Sequence, residues 1–187
     1  MSFTEQDNLT WHPFPFPLES DAGQCEWRGG LVGCGPQTAA VLLRFWSARL
    51  GLDVPERDAL AVALAPQLGA WRVPLSGGAR AVQPWTWLLG LNQALMAEEM
   101  PLRARGYWGY RLGHGLERRL DHNWTQAWPT VGFEFSLRTQ HYGVLDSYAA
   151  TSTGLQGHLV APLSDSKTTL QLEPRLGVGG AFWLEPI

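Results

Sequence analysis

The chain has 187 residues, of which 45% are hydrophobic and 17% charged, and its net charge is −3 at pH 7. This composition predicts a folded protein with a buried core and excludes a disordered chain. The slight acidic excess gives no reason to expect nucleic acid or an anionic membrane surface as a partner. We expect a single domain over residues 1–187, and composition leaves the oligomeric state open.

Two cysteines, Cys25 and Cys34, are too few for a disulfide framework. The first residues have neither the basic region nor the apolar region of a secretory signal. No segment approaches the roughly 20 apolar residues of a membrane span. We therefore expect a cytoplasmic protein with both thiols reduced and no membrane contact.

The first half of the chain predicts an extended leader followed by helices. Residues 1–23 form the irregular leader, which we expect to pack on the domain, and residues 11–17 alternate proline with aromatic residues, as extended segments do. Apolar residues at three- and four-residue steps then predict three helices. These helices cover residues 36–50, 55–68 and about 84–96.

The second half predicts mainly strands. One short amphipathic helix is expected from Leu116 to Trp124. Gly177 to Gly180 is expected to be a turn before the terminal strand. Helices followed by an antiparallel sheet define an α+β fold. The expected strands are 102–108, 129–135, 141–148, 157–163, 168–172 and 181–184, with a long turn at 149–157.

The segment Gly33-Cys34-Gly35-Pro36 places a thiol at the start of the first strong helix. Proline is favoured at a first helical position, because its missing N–H is one of those that a helix start leaves unpaired. The helix dipole and free N–H groups at this end favour a thiolate. Flanking glycines leave room for a substrate carbonyl. This setting is typical of a cysteine nucleophile, although a lone cysteine is more often a small buried hydrophobe.

A thiolate nucleophile requires a base, which is most often a histidine oriented by a third polar group. Of the five histidines, His141 begins a predicted strand directly after the polar turn 136–140. A strand end is a rigid position from which a side chain enters the cleft facing the sheet. We therefore pair Cys34 with His141 as the candidate site. His158, which begins the next strand, is interpreted as structural.

Two motifs together resemble a known family. Gly-Cys-Gly-Pro-x-x-Ala-Ala-x-x-Leu-x-x-Trp begins at Gly33, and His-Tyr-x-Val-Leu-x-Ser-Tyr begins at His141. The pair is similar to C39-like cysteine peptidases of the papain-like superfamily. The helix led by Ser76-Gly77-Gly78, and the helix and strand before His141, resemble the same family. The likeness extends from about residue 24 to 165 and implies a papain-like fold, with N-terminal helices packed on a C-terminal antiparallel sheet.

The resemblance also implies roles for individual residues. Cys34 would be the nucleophile and His141 the general base and acid. Gln24, with the Cys34 backbone N–H, would stabilise the oxyanion. Asp165, at the end of the strand after the histidine strand, would orient the imidazole. Asp146 is the rival for that role, but strand alternation is expected to turn it to the face opposite His141.

These expectations describe a thiol hydrolase that cleaves a peptide or other amide bond without a cofactor or metal. The same site would serve an acyltransferase if an amine or thiol replaced water. A non-catalytic binding or accessory domain with the same fold is a second interpretation. A redox pair formed by Cys25 and Cys34 is a third. Zinc-ligand spacing, phosphate-binding glycine loops and paired carboxylates are absent from the sequence.

Overall fold

A computed structural model describes residues 9–20, 23, 25–72, 80–136, 140–160 and 169–187. The described chain is α+β. Its helices are α1 Cys34–Leu50, α2 Arg57–Gln67, α3 Pro84–Ala97 and α4 His114–Thr125. All four predicted helices are therefore confirmed, and each boundary moves by two residues or fewer.

The strands form one large antiparallel sheet and one small hairpin. The large sheet has the order β4-β9-β5-β6-β7-β8, and β1 pairs with β6 beside it. The separate pair joins β2 to β3. The strands are β1 His12–Pro13, β2 Trp71–Arg72, β3 Arg80–Ala81, β4 Leu102–Gly109, β5 Thr130–Ser136, β6 Gln140–Thr151, β7 Gly154–Leu159, β8 Thr169–Gln171 and β9 Gly177–Pro186.

Helix α1 is the central helix of the core. Its buried side chains include Ala39, Leu42, Leu43 and Trp46, which recur at helical spacing and face α2 and the sheet. The helix ends at Gly51, whose φ of 67° and ψ of 28° give the left-handed conformation that glycine adopts without strain. The spacing of the apolar residues thus determines which side chains α1 buries, and Gly51 determines where the helix ends.

The large sheet separates two apolar clusters. On one face, α1, α2 and α3 pack against alternate strand residues such as Phe133, Tyr142 and Phe182. On the other face, α4 packs through Leu116 and Leu120 against residues of β6, β7 and β8. Successive strand residues point to opposite faces, so the strands supply both clusters.

Two strand predictions are wrong in detail. Gly177 to Gly180 is the first part of β9, not a turn. A Cβ at Gly179 would lie 2.3 Å from the carbonyl oxygen of Leu172, so the glycines let another segment cross directly over the strand. The long turn expected at 149–157 is also wrong, because β6 continues to Thr151 and β7 begins at Gly154.

The described part of the leader, residues 9–20, lies on the domain. Phe14 is buried and its ring packs edge-on against Phe45 of α1 and Trp124 of α4, at centroid distances of 6.0 and 5.2 Å. Trp124 also donates its indole N–H to the carbonyl of His12 at 3.0 Å. Aromatic packing and the pairing of β1 with β6 thus hold this extended segment on the domain.

Within the described residues, no helix has the length and apolar character needed to cross a membrane.

Helix α3 packs closely against the end of α2 at Gly90. A Cβ at this buried position would lie 2.0 Å from the carbonyl oxygen of Gln67, so the two backbones leave no room for a side chain. We expect Gly90→Ala to lower the free energy of unfolding by about 1–3 kcal/mol through overpacking. At an exposed helical site the same change would stabilise the protein by up to about 1 kcal/mol.

Chemical denaturation of the two variants Gly90→Ala and Leu89→Ala measures this effect. Leu89 is exposed on the same helix, and truncating it should change the stability by no more than about 0.5 kcal/mol. Equal stability of Gly90→Ala and the parent protein would contradict the close packing.

Candidate active site

The backbone before Cys34 has a conformation that favours glycine. Gly33 caps α1 with φ of 95° and ψ of 153°, and a Cβ there would lie 2.9 Å from the carbonyl oxygen of Arg80. Any other residue would be strained and would collide with β3. Since Cys34 is the first residue of α1, its thiol lies at the positive end of the helix dipole.

Gly35, the glycine after Cys34, permits close packing of the first helical turn. A Cβ at this position would lie 3.0 Å from Cβ and Cγ2 of Val82. The Gly35 carbonyl accepts hydrogen bonds from the Trp87 indole N–H at 3.1 Å and the Thr38 hydroxyl at 3.0 Å. The turn that carries Cys34 is therefore held against Trp87 of α3 and against Val82, which precedes α3.

The Cys34 sulfur contacts the beginning of β6. The backbone N–H of Tyr142, the residue after His141, donates to Cys34 Sγ at 3.4 Å. Sulfur is a weak acceptor, and a thiolate accepts more strongly than a thiol. The structure thus brings together Cys34 and the strand start that carries His141, although the two are 107 positions apart in the sequence.

Tyr142 itself is rigidly held. Its hydroxyl donates to the Val82 carbonyl at 3.0 Å, and its ring stacks on Trp87 with an interplanar angle of 11°. Burial, with a smaller contribution from the neighbouring Cys34, raises the pKa of the Tyr142 phenol. The phenol therefore stays neutral. Because the hydroxyl and the ring are both held, the Tyr142 N–H that faces the sulfur has a fixed position.

His141 and Cys34 are both partly exposed, whereas Tyr142 is buried. Strand alternation turns the His141 side chain to the face opposite the Tyr142 ring. The sulfur lies beside the strand edge, because the Tyr142 N–H lies in the plane of the sheet. Two residues further along the same edge of β6, the carbonyl of Val144 accepts a hydrogen bond from the Val160 N–H at 2.9 Å. Val160 directly follows β7. Cys34 and Val160 therefore contact the same edge of β6, two residues apart along the strand.

Two predicted site residues, Gln24 and Asp165, lie outside the described residues. Asp146 has partners away from Cys34. Its carboxylate contacts His158 Nδ1 at 3.0 and 3.1 Å and accepts from the Ser147 hydroxyl at 2.7 Å. A β-bulge between Leu145 and Ser147 places Asp146 at this point of β6. The Asp146 side chain thus links β6 to His158 of β7.

Sequence reasoning missed the role of Gln37, which lies one turn after Cys34 and is completely buried. Its amide N–H₂ donates to Asp58 Oδ1 at 3.1 Å and to the Gly23 carbonyl at 3.4 Å. Arg57 donates to Gly23 as well, at 3.3 Å, and binds Asp58. The sequence could have indicated this role, because Gln37 lies among the residues that α1 is predicted to bury, and a buried amide requires hydrogen-bond partners.

Cys25 lies in this same polar network and is unlike Cys34. Its sulfur contacts the Asp58 carbonyl at 3.6 Å and Gln37 Oε1 at 3.9 Å. Burial and the Asp58 carboxylate raise the pKa of the Cys25 thiol, and its own backbone hydrogen bond and Arg57 lower it by less. The surroundings of Cys25, one of the two free cysteines, therefore disfavour its thiolate.

The described residues contain no group of three or more His, Cys, Asp or Glu side chains able to hold a metal ion. What the arrangement offers instead is a partly exposed sulfur at a helix start, with a histidine at the adjoining strand end. These are the groups that nucleophilic thiol chemistry requires.

Comparison with protein-family models, with curated proteins and with solved structures gave no match.

The environment of Cys25 leads to a testable prediction. Because the Asp58 charge disfavours the Cys25 thiolate, Asp58→Asn should lower the pKa of Cys25 and speed its alkylation by iodoacetamide at pH 8. Asp58 is half-exposed, so solvent screening limits the gain to about fivefold or less. The rate is measured in a Cys34→Ser background by mass spectrometry.

Asp53→Asn is the matched control, because Asp53 is an exposed carboxylate that makes no contribution to the pKa of Cys25. It should leave the alkylation rate unchanged. A slower reaction in Asp58→Asn would show that the sign of the Asp58 effect is wrong.

Proposed function

We propose that this chain is a thiol hydrolase with a papain-like fold of the C39-like type, acting on a peptide or other amide bond. The observation that carries the proposal is the 3.4 Å contact between Cys34 Sγ and the N–H of Tyr142. This contact joins the two motifs of the sequence at one place. The α+β order of helices and antiparallel sheet supports the same assignment.

In the proposed reaction, His141 takes the proton from Cys34 and the thiolate attacks the carbonyl carbon of the substrate. The carbon–nitrogen bond then breaks, and His141 returns the proton to the departing amine. Water, with His141 again as base, cleaves the resulting thioester and releases the acid and the free thiol. No redox change occurs and no cofactor takes part.

The start of α1 supplies electrostatic stabilisation in this proposal. The Cys34 N–H and the helix dipole favour both the thiolate and the oxyanion that forms on the substrate. Gln24 remains the proposed second donor to the oxyanion. Its chain neighbours Gly23 and Cys25 both contact Gln37, which lies in the first turn of α1.

Asp165 remains a proposed orienting residue. Asp146 is the weaker candidate because its carboxylate already binds His158 and Ser147. We also keep the cytoplasm as the proposed location and an amide-containing molecule, not nucleic acid, as the proposed partner.

Alkylation by iodoacetamide at pH 6 tests the activated thiol. An ordinary thiol is almost fully protonated at this pH, so we expect Cys34 to react at least about tenfold faster than Cys25. His141→Ala should remove the difference, because the thiolate then loses its imidazolium partner. Peptide mapping by mass spectrometry assigns the label to each cysteine.

His122→Ala is the matched control, since His122 lies on α4 and packs edge-on against Trp128. It should leave the labelling ratio unchanged. Equal rates for Cys34 and Cys25 in the parent protein would refute the proposed function and favour a binding domain.

Hydrolysis and acyl transfer are separated by trapping. The protein is incubated with a set of peptide and simple amide substrates, with and without an added amine acceptor, and Cys34→Ala is the blank. Hydrolysis gives a free acid, whereas transfer gives a new amide. A reversible oxidant-dependent mobility shift abolished by Cys25→Ser would instead support the redox pair.

A further inference from the structure

We infer that Glu134 is the positioning residue for His141, which rests on the proposed function of the Cys34 site. The two residues are direct partners across the antiparallel pair of β5 and β6. Directly opposite residues in such a pair have their side chains on the same face, with Cβ atoms about 4.5–5.5 Å apart. A glutamate and a histidine at this spacing can share a hydrogen bond.

The neighbours of Glu134 favour contact with His141. On its other side, Glu134 is opposite Gly179 of β9, which has no side chain. Gly132, two residues before Glu134, and its partner Gly143, two residues after His141, are also glycine. Among the directly opposite partners, His141 is therefore the one that presents a side chain to the carboxylate.

Burial of Glu134 calls for an explanation. Glu134 is only 5% exposed, and a carboxylate in such a place is costly unless it is paired. One of its oxygens, Oε2, accepts the backbone N–H of Gln171 in β8 at 2.9 Å. This bond holds the carboxylate from β8, while His141 lies directly opposite Glu134 in the pairing of β5 with β6.

The chemical consequence concerns the imidazole. When the carboxylate accepts the N–H of one ring nitrogen, it fixes the tautomer and leaves the other nitrogen to exchange the proton with Cys34. It also stabilises the imidazolium that forms when the thiolate is generated. Glu134 would thus do from the preceding strand what Asp165 is expected to do from the following one.

Nuclear magnetic resonance titration of the His141 ring in the parent protein and in Glu134→Gln tests this role. We expect the His141 pKa to fall by about one unit or more in Glu134→Gln, because the imidazolium loses a nearby negative charge. Glu134→Asp keeps the charge and should retain most of the effect. Glu185→Gln, which removes a carboxylate paired with Arg105, should leave the His141 titration unchanged.

If Glu134→Gln fails to fold, the same titration in Asp165→Asn, which lacks the other proposed orienting carboxylate, tests the role of Glu134. Neutral His141 should then show one fixed tautomer with a single slowly exchanging ring N–H. Averaging between tautomers, or an unchanged His141 pKa in folded Glu134→Gln, would overturn the inference and leave Glu134 as a support for β8.

This experiment is independent of catalysis. If His141→Ala has no effect on Cys34 alkylation, the proposed function fails, whatever the tautomer of His141. If alkylation depends on His141 but the ring titrates without regard to Glu134, only the positioning role fails.

Discussion

The docking of Tyr142 between α1 and α3 is the constraint on which the site depends. One residue makes three connections: its hydroxyl binds the Val82 carbonyl, its ring stacks on Trp87, and its N–H meets the Cys34 sulfur. Because all three are short-range and directional, moving β6 along its axis by one residue would break them together. The start of α1 and the start of β6 are therefore held in one geometry by the apolar core, and the candidate site lies at the rim of that core.

The same core explains why the fold was largely predictable from the sequence. The four helices have apolar residues at three- and four-residue steps, and this pattern depends on the local sequence alone. The segment 177–180 was predicted wrongly because its glycines are explained by the crossing of Leu172 over β9, a contact between distant segments. Glycine is typical of a turn when only its neighbours are considered, whereas here it allows close approach of two backbones.

The site was only partly predictable for a related reason. Cys34 and His141 each occur in a recognisable local motif, so each could be singled out without a structure. Gln37 and Glu134 could not, because their significance comes from partners on other elements, Asp58 and Gln171. Strand register decides which side chain lies beside His141, and register is a property of two strands together. A single sequence therefore identifies residues in local motifs more readily than residues whose partners lie on other elements.

The two cysteines lie in different electrostatic surroundings. Cys34 lies at a helix start beside a backbone N–H, and both features favour the thiolate. Cys25 lies near the Asp58 carboxylate and faces two oxygen acceptors, which favour the protonated thiol. Both cysteines belong to segments that the Gln37 amide connects, because Gln37 lies in the first turn of α1 and contacts Gly23, Cys25 and Asp58. In the proposed function, electrophiles would react at Cys34, whereas Cys25 donates to the Asp58 carbonyl and to Gln37 Oε1.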